Sequence, residues 1–417
     1  MSAPTNPLNG DRARSLADEV ARRSRAKQVA YLAGRSGDIE ASEDAVSEAF
    51  ASALATWPEK GCPANPEAWL LTAARRKLID QYRRNRESAG SDELEEIAAE
   101  TPEDDESGLP DRRLDLLFAC THPAIDPSIR APLMLQVVLG LEAAQIAGAF
   151  LISPAAMTQR LVRAKTKIRD AGIPFLIPDR SELPGRLDAV LDSIYACSSE
   201  GWTDPSGAEP SRRELAGEAI FLGRLLAELL PDEAETWGLL ALMLYTEARR
   251  PARRSAGGKY IPLSQQDISL WDATMIDEAE SALRKASQRN RIGRFQLEAA
   301  IQSAHIAGGR NGSPRWKEIL ALYDALVELT ASPVASINRA LVLAEVESPQ
   351  AGLRVLEALA ADTRLESYQP YWAARANLCS RAGQLDAARY AYRLAIGLER
   401  DPAVREFLSE RCESLAG

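Results

Sequence analysis

Histidine is nearly absent from this chain of 417 residues: only His122 and His305 occur. With so few imidazoles, Ser-His-Asp, Cys-His and histidine-zinc arrangements lack a full set of partners, so no catalytic residue, metal or cofactor is expected. The five cysteines, Cys62, Cys120, Cys197, Cys379 and Cys412, are odd in number, widely spaced and never arranged as CxxC. That excludes a disulfide framework and a zinc knuckle. Cys120 and His122 lie close together, but no other ligand clusters beside them, and the pair reads as a helix end before a turn at Pro123. No apolar run is long enough to span a bilayer, and Met1 to Gly10 lack the pattern of a signal peptide. The expectation is a cytoplasmic protein with no membrane partner. Alternating strand patterns are missing, and no basic residue occurs between Ser88 and Asp111.

What is present is Ala, Leu, Glu and Arg in segments of helical length punctuated by Gly and Pro, which predicts an all-α fold. With 46% hydrophobic residues and a net charge of −10, the chain can bury more than one core. The ten acidic residues between Ser88 and Asp111, mixed with Gly, Ser and Pro, have the composition of a solvated linker. Without it, the first 179 residues carry net positive charge, concentrated in two helical clusters. Four parts are therefore expected: residues 11–87, an acidic linker over 88–111, residues 112–178, and an array over 184–417.

Residues Gly140 to Arg169 predict a helix-turn-helix, with Ser153 capping the second helix and Pro154 in its first turn. Met157, Leu161, Ala164 and Ile168 form its buried stripe. Ala155, Gln159, Val162 and Thr166 fall opposite. Arg160, Arg163 and Lys167 lie on one shoulder and Thr158, Lys165 and Arg169 on the other, as in a helix set between two phosphate ridges. Gln159 suits a bidentate contact to adenine.

Upstream, Asn65-Pro66-Glu67 starts a basic helix whose stripe is Leu71, Ala74, Leu78 and Tyr82, leaving Arg76, Asp80 and Arg83 opposite. Before it, Ser42 to Trp57 is amphipathic, with Val46, Phe50, Ala53 and Trp57 inward and Glu43, Asp44 and Glu48 toward solvent. Both Trp57 and Trp69 read first as core.

The stretches Glu43 to Phe50 and Asn65 to Arg75 resemble region 2 of extracytoplasmic-function RNA polymerase sigma factors, and Gly140 to Arg169 resembles their region 4. Segments from Leu161 to Phe175 resemble a subgroup with a C-terminal extension of tetratricopeptide repeats. The resemblance implies a region 2 bundle, a region 4 helix-turn-helix and a repeat solenoid. It implies that Asp44, Val46, Glu48 and Phe50 bind the clamp helices of the polymerase β′ subunit, with region 4 on the β flap. Arg75, Arg76, Lys77, Asp80 and Arg83 would open and hold the −10 element; Ala155, Thr158, Gln159, Arg160, Arg163 and Lys167 would read the −35 element. Where the subgroup has Asn-Glu-Gly-Tyr, this chain has Ser199-Glu200-Gly201-Trp202.

In the C-terminal half, Trp372, Ala376, Gly383, Ala388, Tyr392 and Ala395 match one tetratricopeptide repeat, with fainter copies upstream. Such an array offers a groove to a peptide or protein partner. The basic insertion from Arg249 to Leu270 reads as a solvated loop. The function expected is an alternative sigma factor that binds core polymerase and promoter DNA, with the repeats regulating it. The alternatives are a helix-turn-helix regulator with a repeat sensor domain and a scaffold protein.

Overall fold

The computed structural model describes residues 24–89, 111–150, 152–179, 181–202 and 210–415. Among these the fold is all-α, with short 3-10 turns and one isolated β-bridge. Residues 11–23 of the first expected domain and 90–110 of the acidic linker lie outside the described residues. The chain divides into two compact units, Met1–Ala196 and Cys197–Gly417. No helix of the described residues is long and apolar enough to cross a membrane.

The first unit begins with helix α1 over residues 24–36, α2 (Ile39–Lys60) and α3 (Pro66–Ala89). Gly37, with φ +69°, turns the chain between α1 and α2, and the Asp38 carboxylate caps α2 by accepting from the Ala41 N–H at 3.0 Å. The Asn65 side chain caps α3, accepting from the Ala68 N–H at 3.1 Å. Ile39, Val46, Ala53 and Trp57 of α2 are buried, as are Leu70, Ala74 and Leu78 of α3; Leu71 and Tyr82 are only half-buried. The fully buried Gln28 side chain of α1 donates to the Glu67 carbonyl at 3.3 Å, tying α1 to the start of α3. Helix α3 runs on to Ala89, so the first residues read as linker are helical.

The same unit continues with α4 (Arg113–Cys120), α5 (Pro127–Leu139), α6 (Ala143–Ala149) and α7 (Pro154–Asp170). Helix α5 is apolar nearly all round, and Leu133, Met134, Leu135 and Val137 are fully buried within the bundle. Helix α8 (Leu183–Trp202) crosses the boundary between units. Its first turns belong to the first unit, where Arg186 donates to the Phe118 carbonyl at 2.7 Å. The side chains of Glu200 and Trp202 lie outside the described residues.

The second unit holds α9 (Pro210–Leu229), α10 (Ala234–Ala248), α11 (Ala273–Ser287), α12 (Arg294–Asn311), α13 (Trp316–Thr330), α14 (Pro333–Val346), α15 (Pro349–Ala358), α16 (Gln369–Arg381), α17 (Leu385–Leu398) and α18 (Pro402–Glu413). From α10 to α17 successive helices pack in pairs, and α18 closes the series on α17. Small residues permit the close approach: a Cβ on Gly238 of α10 would lie 2.6 Å from the Gln296 amide nitrogen of α12, and one on Gly352 of α15 would lie 2.5 Å from the Ala340 carbonyl oxygen. Ala376, Ala388 and Ala395 are fully buried beside Tyr392.

The basic insertion is not a solvated loop. It folds as a strap along the second unit, with Ala252 and Trp271 buried, a β-bridge between Arg254 and Tyr260, and three 3-10 turns. Arg254 pairs with Asp401 and Lys259 with Glu410, at 2.8 Å for the latter, while Tyr260 packs edge-on against Phe407. Cations that composition alone assigns to solvent are thus matched to carboxylates at the end of the chain.

Candidate nucleic-acid interface

Helix α7 is built as its sequence implies at its start: the Ser153 hydroxyl accepts from the Ala156 N–H at 3.3 Å, and Pro154 takes the first turn. Met157, Leu161, Ala164 and Ile168 are buried, with Ile146 of α6 fully buried in the same unit. This leaves Ala155, Thr158, Gln159, Arg160, Val162, Arg163 and Lys167 exposed. The Thr158 hydroxyl donates back to the Pro154 carbonyl at 2.9 Å, so toward a ligand it offers lone pairs and its methyl group. Asp126, the cap of α5, has its carboxyl held below the usual range mainly by the Ser128 hydroxyl, with a smaller contribution from the Arg160 charge.

Two shoulder cations are engaged within the protein, Lys165 buried and Arg169 still exposed. Lys165 is only 8% exposed, and its Nζ lies 2.8 Å from a carboxylate oxygen of Glu43, itself 8% exposed rather than solvated. A partner in α2 stands where a phosphate contact was expected. Arg25 of α1 approaches the same carboxylate at 3.6 Å, and Cys120, whose thiol is pushed up chiefly by burial, lies close enough to feel the Glu43 and Lys165 charges. Arg169 is engaged with Asp38 at 3.5 Å and Asp170 at 3.0 Å. Arg112 Nη2 donates to the Phe175 carbonyl at 2.8 Å, and Lys27 reaches Asp111 at 4.0 Å. These links hold α1 and α2 against the end of α7. The signal was faint: Glu43 stands three positions before the inward Val46, and Lys165 stands four after Leu161 and three before Ile168, so each sits beside a buried stripe.

On the other face of the unit, Asp44 and Glu48 of α2 are exposed. Glu48 pairs with Lys77 of α3 at 3.1 Å, so a residue expected at the polymerase and one expected at DNA touch each other. Arg76, Asp80 and Arg83 are exposed, while Arg75 is half-buried. Phe50 is half-buried and remains reachable. Val46 is 0% exposed, which corrects its expected contact with a partner: it packs inside the bundle. Trp57 is likewise core, and half-buried Trp69 meets its ring edge-on with centroids 5.7 Å apart. Trp69 alone of the two can offer a ring to an unstacked base.

Three comparisons bear on this arrangement. The sigma-70 region 2 family matches residues 21–88, which contain α1, α2 and all of α3 but Ala89. A family of unknown function (DUF6596) matches residues 186–287, from α8 through α11. An uncharacterized protein of Rhizobium meliloti (strain 1021) is 39% identical over 389 residues, 91% of this chain and 91% of the relative. No solved structure matches.

Proposed function

We propose, from the premise that this chain belongs to the same family as the Rhizobium meliloti protein and carries sigma-70 region 2, that it is an RNA polymerase sigma factor of the extracytoplasmic-function type. The observation that carries the reading is the region 2 match over a bundle whose α3 displays Arg76, Asp80 and Arg83 to solvent. In this reading α6 and α7 serve as region 4, and the second unit is a tetratricopeptide-like array that regulates initiation. The protein acts in the cytoplasm, on core polymerase and promoter DNA, and does no catalysis of its own.

The mechanism follows from the side chains. Gln159 presents an amide able to pair with the N6 and N7 edge of adenine, while Arg160, Arg163 and Lys167 neutralise phosphates on one flank. Ala155 leaves the helix N-terminus low enough to approach base edges. On region 2, Asp44, Glu48 and Phe50 supply an acidic and aromatic surface for the polymerase clamp helices. The cations of α3 hold the separated strand, with Trp69 as a stacking ring. Through the Glu48–Lys77 pair the two surfaces share a contact.

The test is promoter-dependent transcription by core polymerase and the full chain on a promoter library. Initiation at defined start sites supports the reading. If the chain binds duplex DNA yet never directs initiation, a helix-turn-helix regulator takes its place. A chain ending at Ala196, with its helical fold verified by circular dichroism, tests the array: a changed initiation rate supports regulation by the second unit.

A further inference from the structure

Within the second unit a cavity of about 480 Å³ opens between the strap and helices α12 and α13. That volume lies in the range of small-molecule sites. Its lining is mostly apolar and aromatic, with Trp271, His305, Trp316 and Ile319 around it and Gly308 and Gly309 in its wall. Gly309 makes room for an indole: a Cβ there would lie 3.3 Å from the Trp271 ring. The His305 and Trp316 rings meet edge-on with centroids 5.9 Å apart. Ile268, at the same lining, is 43% exposed, an apolar group left facing water. Two buried polar atoms of lining residues, Trp271 Nε1 and Gln266 Oε1, have no hydrogen-bond partner among the described residues.

One buried cation stands behind the lining, bonded to Gln302 three residues before His305. Arg249, 9% exposed, donates to the Gln302 side-chain oxygen at 2.6 Å and to the Tyr245 carbonyl at 3.3 Å, and both acceptors are neutral. Its charge acts on His305, one turn from Gln302 on α12. Burial and the Arg249 charge both hold the imidazole neutral. Carboxylates nearby are already engaged: Glu318 pairs with Arg315 at the cavity lining, and Asp267 and Asp272 cap the Ser269 and Met275 N–H groups. A buried guanidinium with only neutral acceptors is costly, and a negative charge placed near it reduces that cost.

We propose that this cavity binds a small planar aromatic acid, its ring against the Trp271 and Trp316 indoles and its carboxylate toward the Arg249 end. The site is independent of the sigma-factor reading. It has a route to the rest of the array, because the strap that lines it is tied to α18 through Arg254 with Asp401 and through Lys259 with Glu410. Occupancy would therefore stiffen the contact between the strap and the C-terminal helix.

The experiment is calorimetric titration of the full chain with indole-3-acetate, salicylate, indole and tryptamine. The acids are expected to bind saturably, with indole roughly tenfold weaker and the cationic tryptamine weaker still. Ser264 is exposed and lines the cavity, so Ser264→Trp fills the mouth without disturbing the core and should abolish binding. Arg249→Gln should weaken indole-3-acetate roughly tenfold and leave indole unchanged. The proposal is overturned if neither acid saturates, if Ser264→Trp binds as the parent does, or if indole and indole-3-acetate bind equally.

Discussion

Lys165 and Glu43, 122 positions apart in the chain, meet at 2.8 Å with both side chains about nine-tenths buried. The pair joins α7 to α2, and its energetics are asymmetric. Two charges removed from water repay their desolvation only through each other, so the pair adds modest net stability while either charge left alone is costly.

Lys165→Met and Glu43→Gln should therefore each destabilise the first unit by about 3–5 kcal/mol. The double variant Glu43→Leu with Lys165→Met should recover much of the loss. Hydrogen exchange in the full chain, read on the amides of α2 and α7, checks this. A double variant less stable than either single variant would show that the two charges do not depend on each other.

The outward face of α7 predicts a different signature. Arg163→Ala and Lys167→Ala should each reduce the salt slope of promoter binding by about one, with little change in sequence preference. Gln159→Ala should leave the slope unchanged and cost roughly 1–3 kcal/mol of discrimination at one base pair. Filter binding by the assembled holoenzyme over a salt series separates the two. An unchanged slope in both cation variants would move the DNA face elsewhere.

In α2, burial separates neighbours that share a helix. Val46→Ala should destabilise the bundle by on the order of 2 kcal/mol, since it opens space in a closed core. Asp44→Ala and Phe50→Ala should leave the melting temperature nearly unchanged and weaken capture of core polymerase. Lys77→Glu breaks an exposed pair worth under about 1 kcal/mol, so its effect should also be seen in binding rather than stability. Pull-down yields set beside thermal melts would reveal a wrong assignment if the two move together in all four variants.

His305 predicts a pH dependence. Burial, with the Arg249 charge, pushes its imidazole from 6.5 down to about 4. The unfolded chain then binds more protons between these values, so the stability from a neutral His305 is full above about pH 6.5 and lost as pH falls toward 4. The loss amounts to roughly 3 kcal/mol. His305→Gln removes it, and its melting temperature should fall less between pH 7 and pH 4.5 than that of the parent. Parallel curves would exclude a buried neutral imidazole.

Asp401 has two tasks that one substitution can divide. Its carboxylate accepts from the Ala403 N–H at 2.9 Å as a helix cap and pairs with Arg254 of the strap. Asp401→Asn should keep the cap and lose the ion pair; Asp401→Ala should lose about 1 kcal/mol more. Proteolysis between Arg249 and Trp271 should accelerate in both. Equal protection of the strap in all three proteins would show that Arg254 does not anchor it.

Much was legible in the sequence because local patterns dictate local structure. The caps Ser153 and Asn65, the stripe from Met157 to Ile168 and the small residues around Tyr392 follow from helix periodicity and short-range hydrogen bonding, and the structure forms each of them. The outward position of Gln159, Arg160, Arg163 and Lys167 follows from the same period. What only the tertiary structure decided are pairings between distant charges. Nothing within a helical turn of Glu43 names Lys165, and nothing in the run from Arg249 to Arg254 names Asp401. Periodicity ranks faces by hydrophobicity and assigns every charge to water. A charge enters the interior when another element brings a partner to it, and that depends on how helices pack.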